Sequence, residues 1–199
     1  MSRYKSVTMG KATVSHGNSK VADCPNVSLL PIASCPRGVP CAGKCYDVKA
    51  CKRYREVREA RQRNWTAARD NPDAYFGGVR QYLAKYAPEY FRWHVGGDIP
   101  SQAYYRTMCA IAREFPDVYF LAFTKNHNLD FRGRPQNLNI VLSMWPGWGN
   151  SRKRMPRAWM QDGSESRIPD SAIQCSGSCE HCGICWFLKT GQDVWFKKH

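Results

Sequence analysis

Between residues 90 and 144 the chain changes its apolar rhythm several times, and few folds accommodate that succession. Residues 90–95, Tyr-Phe-Arg-Trp-His-Val, alternate with period two and read as a strand. Residues 101–115 carry apolar side chains at steps of three and four and read as a helix, with Ser101 or Asp98 available to cap it. A second strand covers residues 118–124, whose first six residues are uninterruptedly apolar, the pattern of a strand buried on both faces. A third, residues 137–144, ends at Trp145-Pro146-Gly147. Strands alternating with a helix predict an α/β layer with parallel strands, open or curled towards a partial (β/α) barrel.

The 199 residues, 43% of them hydrophobic, suffice for one core, so residues 1–199 are expected to form a single α/β domain. Upstream, residues 1–23 are polar, and residues 26–34 read as a short strand broken by Pro31. Residues 46–68 read as one helix with a modestly apolar stripe (Tyr46, Ala50, Tyr54, Val57, Ala60, Asn64, Ala68) and a basic opposite face. Asn71-Pro72-Asp73 marks a turn into a further helix over residues 74–86. The six-residue apolar run is far below the ~20 residues that span a bilayer. With no apolar leader segment after Met1, the expected location is the cytoplasm, away from membranes.

Ten cysteines require an explanation, and in a reducing compartment clustered thiols are more often ligands than disulfides. They gather in two segments, residues 24–51 and 175–185, which are expected to bind metal. Cys175, Cys179, Cys182 and Cys185 include three thiols within seven residues, a spacing suited to a [4Fe–4S] cluster. Structural zinc competes, with His181 as a possible substitute ligand. Cys24-Pro25 and Cys35-Pro36 offer the remote Cys-Pro dipeptide of ferredoxins, and Cys35, Cys41 and Cys45 form an amino-terminal set in a loop rich in Pro and Gly. Cys109 reads as core.

The strand at residues 90–95 places Arg92 and His94 on one face, followed by Gly96, Gly97 and Asp98. Ligands of parallel sheets bind at the carboxyl ends of strands, so Arg92, His94 and Asp98 are candidate catalytic residues, with Thr124, Lys125 and Ser143 on the same rim. The net charge of +14 points to anionic partners. Arg152, Lys153, Arg154 and Arg157 form one candidate nucleic-acid patch, and the helix face from Lys49 to Arg63 forms another.

The order of several motifs resembles the phage gene-product-88 family of viral iron–sulfur proteins. These are Gly17-Asn18-Ser19-Lys20, Ser34-Cys35-Pro36, and Cys41-Ala42-Gly43-Lys44-Cys45-Tyr46, then the segment from Phe91 to Asp98, Thr124-Lys125, and Ser143-Met144-Trp145. Cys182-Gly183-Ile184-Cys185-Trp186 and the segment from Val194 to His199 complete the match. The resemblance implies a TIM-barrel-like fold and a [4Fe–4S] cluster held by cysteine thiolates. It also implies a redox, electron-transfer or auxiliary metabolic role in the host cytoplasm, with host redox proteins as candidate partners. The competing expectation is a basic nucleic-acid-binding protein stapled by zinc or a structural cluster.

Overall fold

The computed structural model describes residues 5–18, 21–148, 154–160, 168–179 and 182–197. An amino-terminal hairpin opens the chain: β1 (Ser6–Met9) pairs antiparallel with β2 (Ala12–Asn18), which pairs antiparallel with β3 (Ala22–Val27). A loop with a 3-10 turn at Ala42–Lys44 leads to α1 (Tyr46–Arg53), α2 (Arg55–Asp70) and α3 (Pro72–Tyr86). Then follow β4 (Tyr90–Trp93), α4 (Gln102–Glu114), β5 (Tyr119–Thr124), β6 (Leu138–Met144) and β7 (Arg157–Met160). A short β8 (Ile173–Gln174), α5 (Ile184–Phe187) and β9 (Asp193–Phe196) end the described chain.

The nine strands among the described residues form one sheet, in the order β1-β2-β3-β4-β5-β6-β7-β9-β8, parallel from β3 onward. The expected α/β layer is present, but β1 and β8 are its outer strands, so the described residues form an open sheet and no closed barrel. Two expected boundaries shift. The single helix over residues 46–68 is broken at Tyr54, whose φ of −123° and ψ of 114° are extended. The strand begun at residue 90 stops at Trp93, because His94 takes a left-handed φ of 59°, a region where His is more tolerated than bulkier or β-branched residues.

Strand alternation separates two interiors. Phe91, Trp93, Phe120, Ala122, Leu138 and Ile140 join the main core with residues of α3 and α4 such as Tyr75, Phe76, Tyr104 and Met108. Leu121 and Val141 point the other way and meet Trp186, Leu188, Ala158 and Val194. That second cover explains why all seven residues of β6 are buried. Both helix starts carry the side-chain caps their sequences suggest: Asn71 Oδ1 accepts from Ala74 N at 3.1 Å, and Ser101 Oγ accepts from Tyr104 N at 3.2 Å.

Candidate functional site

The carboxyl ends of β3, β4 and β5 are tied together by Asp98. Its carboxylate accepts from Thr124 Oγ1 at 2.5 Å, from the Lys125 backbone N–H at 2.8 Å and from the Ile99 N–H at 2.7 Å. The backbone N–H of Asp98 donates to Ser34 Oγ at 3.2 Å, which brings in the loop after β3. Burial raises the Asp98 pKa, opposed by the nearby Lys125 charge and by these donors. Burial works to lower the Lys125 pKa, yet the summed pull of Asp98, Cys41, Tyr46 and Cys35 leaves it raised. The rim is therefore a fixed ammonium beside an anchored carboxyl group.

The three candidate catalytic residues do not converge on one point. The His94 side chain lies against the Tyr104 ring at 5.4 Å between centroids, buried, with neither ring nitrogen hydrogen-bonded. Burial, and then the Arg92 charge, push its pKa down to about 3, so the imidazole is neutral at pH 7. Arg92 turns to the opposite face, its guanidinium 5.0 Å from the centre of the Phe123 ring. Ser143 donates no side-chain bond to Asp98; its backbone carbonyl receives the His127 ring at 3.0 Å.

Over this rim lies α1. The Tyr46 hydroxyl donates to the Val95 carbonyl, which buries the phenol end and raises its pKa, while the ring is left 52% exposed. Next to it, Asp47 is buried and accepts from Arg61 Nε with both oxygens, at 3.0 and 2.8 Å. A Cβ at Gly96 would stand 1.9 Å from Asp47 Oδ2, so only glycine lets this ion pair approach the loop after β4. The pair locks α1, α2 and the rim into one unit. It carried no sequence signal, since Asp47 and Arg61 lie fourteen residues apart in what reads as a single basic helix.

Outside that lock, the exposed faces of α1 and α2 are strongly cationic. Lys49, Lys52, Arg53, Arg55, Arg58 and Arg63 are exposed along residues 49–63, against Glu56 and Glu59. Arg55 pairs with Glu59 at 2.6 Å. Tyr54, 48% exposed, lies under the Arg53 guanidinium at 5.3 Å. The other candidate patch is described only in part. Arg152 and Lys153 lie outside the described residues, Arg154 is exposed, and Arg157 is engaged across the β7–β9 register with Asp193, both bonds at 2.8 Å.

The cysteines overturn the metal expectation. All are free thiols, but among the described residues no group of three or more His, Cys, Asp or Glu side chains is placed to hold a metal ion. The amino-terminal cysteines are themselves divided between two places. Cys35 and Cys41 lie near Lys125 and Asp98, whereas Cys24, Cys175, Cys179 and Cys185 pack against the second interior, around Trp186 and Leu188. Cys45 opens α1, and Cys182 precedes α5. Burial pushes the thiols of Cys24 and Cys185 up to about 12 and that of Cys35 up to about 11. Among the described residues the structure therefore provides no site for the [4Fe–4S] cluster, the zinc alternative or the metal staple, and the redox or electron-transfer role expected from them loses its basis. His181 lies outside the described residues. Cys109 is buried in α4, in the main core.

No helix among the described residues is long and apolar enough to cross a membrane. No solved structure matches the chain. It is similar to the Gene 88 protein of Mycobacterium phage D29, with 24% identity over 186 residues, covering 76% of this chain and 78% of that protein. The family model described as Gene product 88 matches residues 5–156, the segment that contains the hairpin, the Asp98 rim and the basic helices. That match carries no iron–sulfur assignment with it, and the thiol positions above supply none. The chain belongs to the Gene product 88 family.

Proposed function

We propose that this chain is a phage protein that binds nucleic acid in the host cytoplasm through the exposed face of α1 and α2. One observation carries the reading: exposed cations and two exposed tyrosine rings alternate on a helix pair locked rigidly to the sheet. Lysine and arginine neutralise phosphates and release counterions, while aromatic rings accept stacked bases of any sequence. The net charge of +14 adds long-range attraction. Arg154 extends this surface as a secondary contact. Arg92, His94 and Asp98 are read as residues that shape the rim beneath α1, and the parallel strands from β3 to β7, taken in chain order, support reading the sheet as a partial barrel.

The test is fluorescence anisotropy with labelled single-stranded and duplex oligonucleotides over a series of salt concentrations. A contact with about five phosphates gives a log–log salt slope near −3.5 on single strands and −4.5 on duplex. The K49Q/K52Q/R58Q variant should flatten that slope by about two to three. Binding no tighter than that of a folded control protein of equal charge, or a slope unchanged in the variant, refutes the proposal.

A further inference from the structure

The connection from β5 to β6, residues 125–137, contains no helix, although parallel neighbours are usually joined through one. The segment is instead stitched along α4. Gln102 Nε2 donates to the Asp130 carbonyl at 3.0 Å, the Asp130 N–H donates to Gln102 Oε1 at 2.8 Å, and Arg113 Nη2 donates to the Gly133 carbonyl at 2.6 Å. Between α4 and this strap remains a cavity of about 260 Å³.

Its walls are dominated by guanidinium groups. Arg106, Arg113 and Arg132 line it, against the single carboxylate of Asp130, which Arg132 already chelates with a shortest contact of 2.7 Å. Arg106 has no hydrogen bond or ion pair among the described residues, and Arg113 spends only Nη2 on the strap. On the inner wall, Tyr105 is 1% exposed, and its hydroxyl finds no oxygen or nitrogen partner, only the Cys109 thiol beside it. A buried hydroxyl whose one partner is a thiol, beside exposed arginines with no carboxylate of their own, favours a ligand that accepts hydrogen bonds and carries negative charge. Arg106 and Arg113 are seven residues apart on α4, so about 10 Å separates their attachment points. Two long arginine side chains can converge on one phosphate from that distance, and the volume leaves room for an attached ring but is too small for a polymer.

We propose that this cavity binds a small phosphomonoester, a sugar phosphate or mononucleotide, with the phosphate between Arg106 and Arg113 and the attached ring against Tyr105. The site lies on α4, separate from the basic face of α1 and α2, and does not depend on the nucleic-acid reading.

Calorimetric titration of the full chain with ribose 5-phosphate, AMP and inorganic phosphate tests it, alongside a 5′-phosphorylated and a 5′-hydroxyl oligonucleotide. The expected result is saturable one-to-one binding of ribose 5-phosphate or AMP. It should weaken at least about tenfold in R106Q and in R113Q, the loss of one charge-assisted fork, and be unchanged in K49Q/K52Q/R58Q. R113K retains the charge, and its intermediate affinity separates loss of the ligand contact from loosening of the strap. Three results overturn the proposal: no saturation by either monoester up to about 10 mM, where even weak sites fill; affinity insensitive to both α4 substitutions; or dependence on Arg106 and Arg113 seen only with the 5′-phosphorylated oligonucleotide, which would assign the cavity to a nucleic-acid end.

Discussion

His94 shows how one side chain couples local conformation to the behaviour of the whole protein. It ends β4 with a φ of 59° and leaves both ring nitrogens in a dry environment facing Tyr104, with Arg92 the charged neighbour. Its pKa in the folded state is lowered to about 3 from the ordinary 6.5, so the unfolded chain binds the extra proton first on acidification. The stability that neutral His94 contributes is present above pH 6.5 and is lost as the pH falls towards 3. Between pH 7 and pH 5 the folded state should lose about 2 kcal/mol from this residue. Urea unfolding at the two values should show that loss, and His94→Asn, which tolerates the left-handed backbone, should remove most of it; an undiminished loss in the variant would assign the acid sensitivity elsewhere. Gly96 carries a second prediction. Adding one methyl drives it into the carboxylate that Arg61 holds, 1.9 Å away, and rearranges a buried ion pair. Gly96→Ala should cost roughly 3 kcal/mol, read as a lower urea midpoint with an unchanged slope.

Helices and strands here are tied by buried amides as much as by apolar contact. Asn64 on α2 accepts from the Thr13 N–H at 2.7 Å and donates to the carbonyls of Thr13 at 2.9 Å and Ser28 at 3.0 Å, so it joins the helix to β2 and to the end of β3. Asn64→Leu would strand three buried backbone groups and should cost roughly 3 kcal/mol, with amide exchange accelerating first at Thr13. Asn64 falls on the apolar stripe of its helix, but nothing in its spacing names its partners. Elements with strong periodicity were legible: β4, α4, β5 and β6 lie within two residues of their expected bounds. The β1–β2 hairpin was not: Val7 and Met9 do alternate with Ser6 and Thr8, but four residues are too short a run to stand out within a polar segment. Nor was the break at Tyr54, which has no Gly or Pro to announce it. The rim was partly legible, since strand alternation and Gly96-Gly97 located Asp98 and Lys125. The thiols were misread for a definite reason: spacing along the chain brings cysteines near one another in sequence, but whether Cys35 and Cys185 share a point depends on which side of the sheet each chain end covers.

The molecule as a whole carries a charge imbalance that its fold does not resolve internally. Among the described residues the most buried ion pair, Asp47–Arg61, is neutral as a unit, which leaves Glu56 and Glu59 against the exposed lysines and arginines of residues 49–63. Lys49 stands three and four residues from Lys52 and Arg53, like-charge spacings that weaken a helix by a few tenths of a kcal/mol each. Such a surface makes the free and bound proteins respond oppositely to the same change. Screening by simple salt should slightly raise the melting temperature of the free protein, since repulsion is what it removes. An oligonucleotide at low salt should raise it further by mass action, about 2.7 kcal/mol at a hundredfold excess over the dissociation constant, and lose that gain as salt competes for phosphate. In K49Q/K52Q/R58Q, stability without ligand should change by less than about 1 kcal/mol, because the three side chains are exposed and α1 and α2 are held by Asp47, Arg61 and Asn64 rather than by surface charge. Ligand-induced stabilisation should nonetheless largely disappear. Thermal melts of both proteins, with and without oligonucleotide at low and high salt, separate the effects: a variant as strongly stabilised by the oligonucleotide as the parent would show that the polyanion binds some other face.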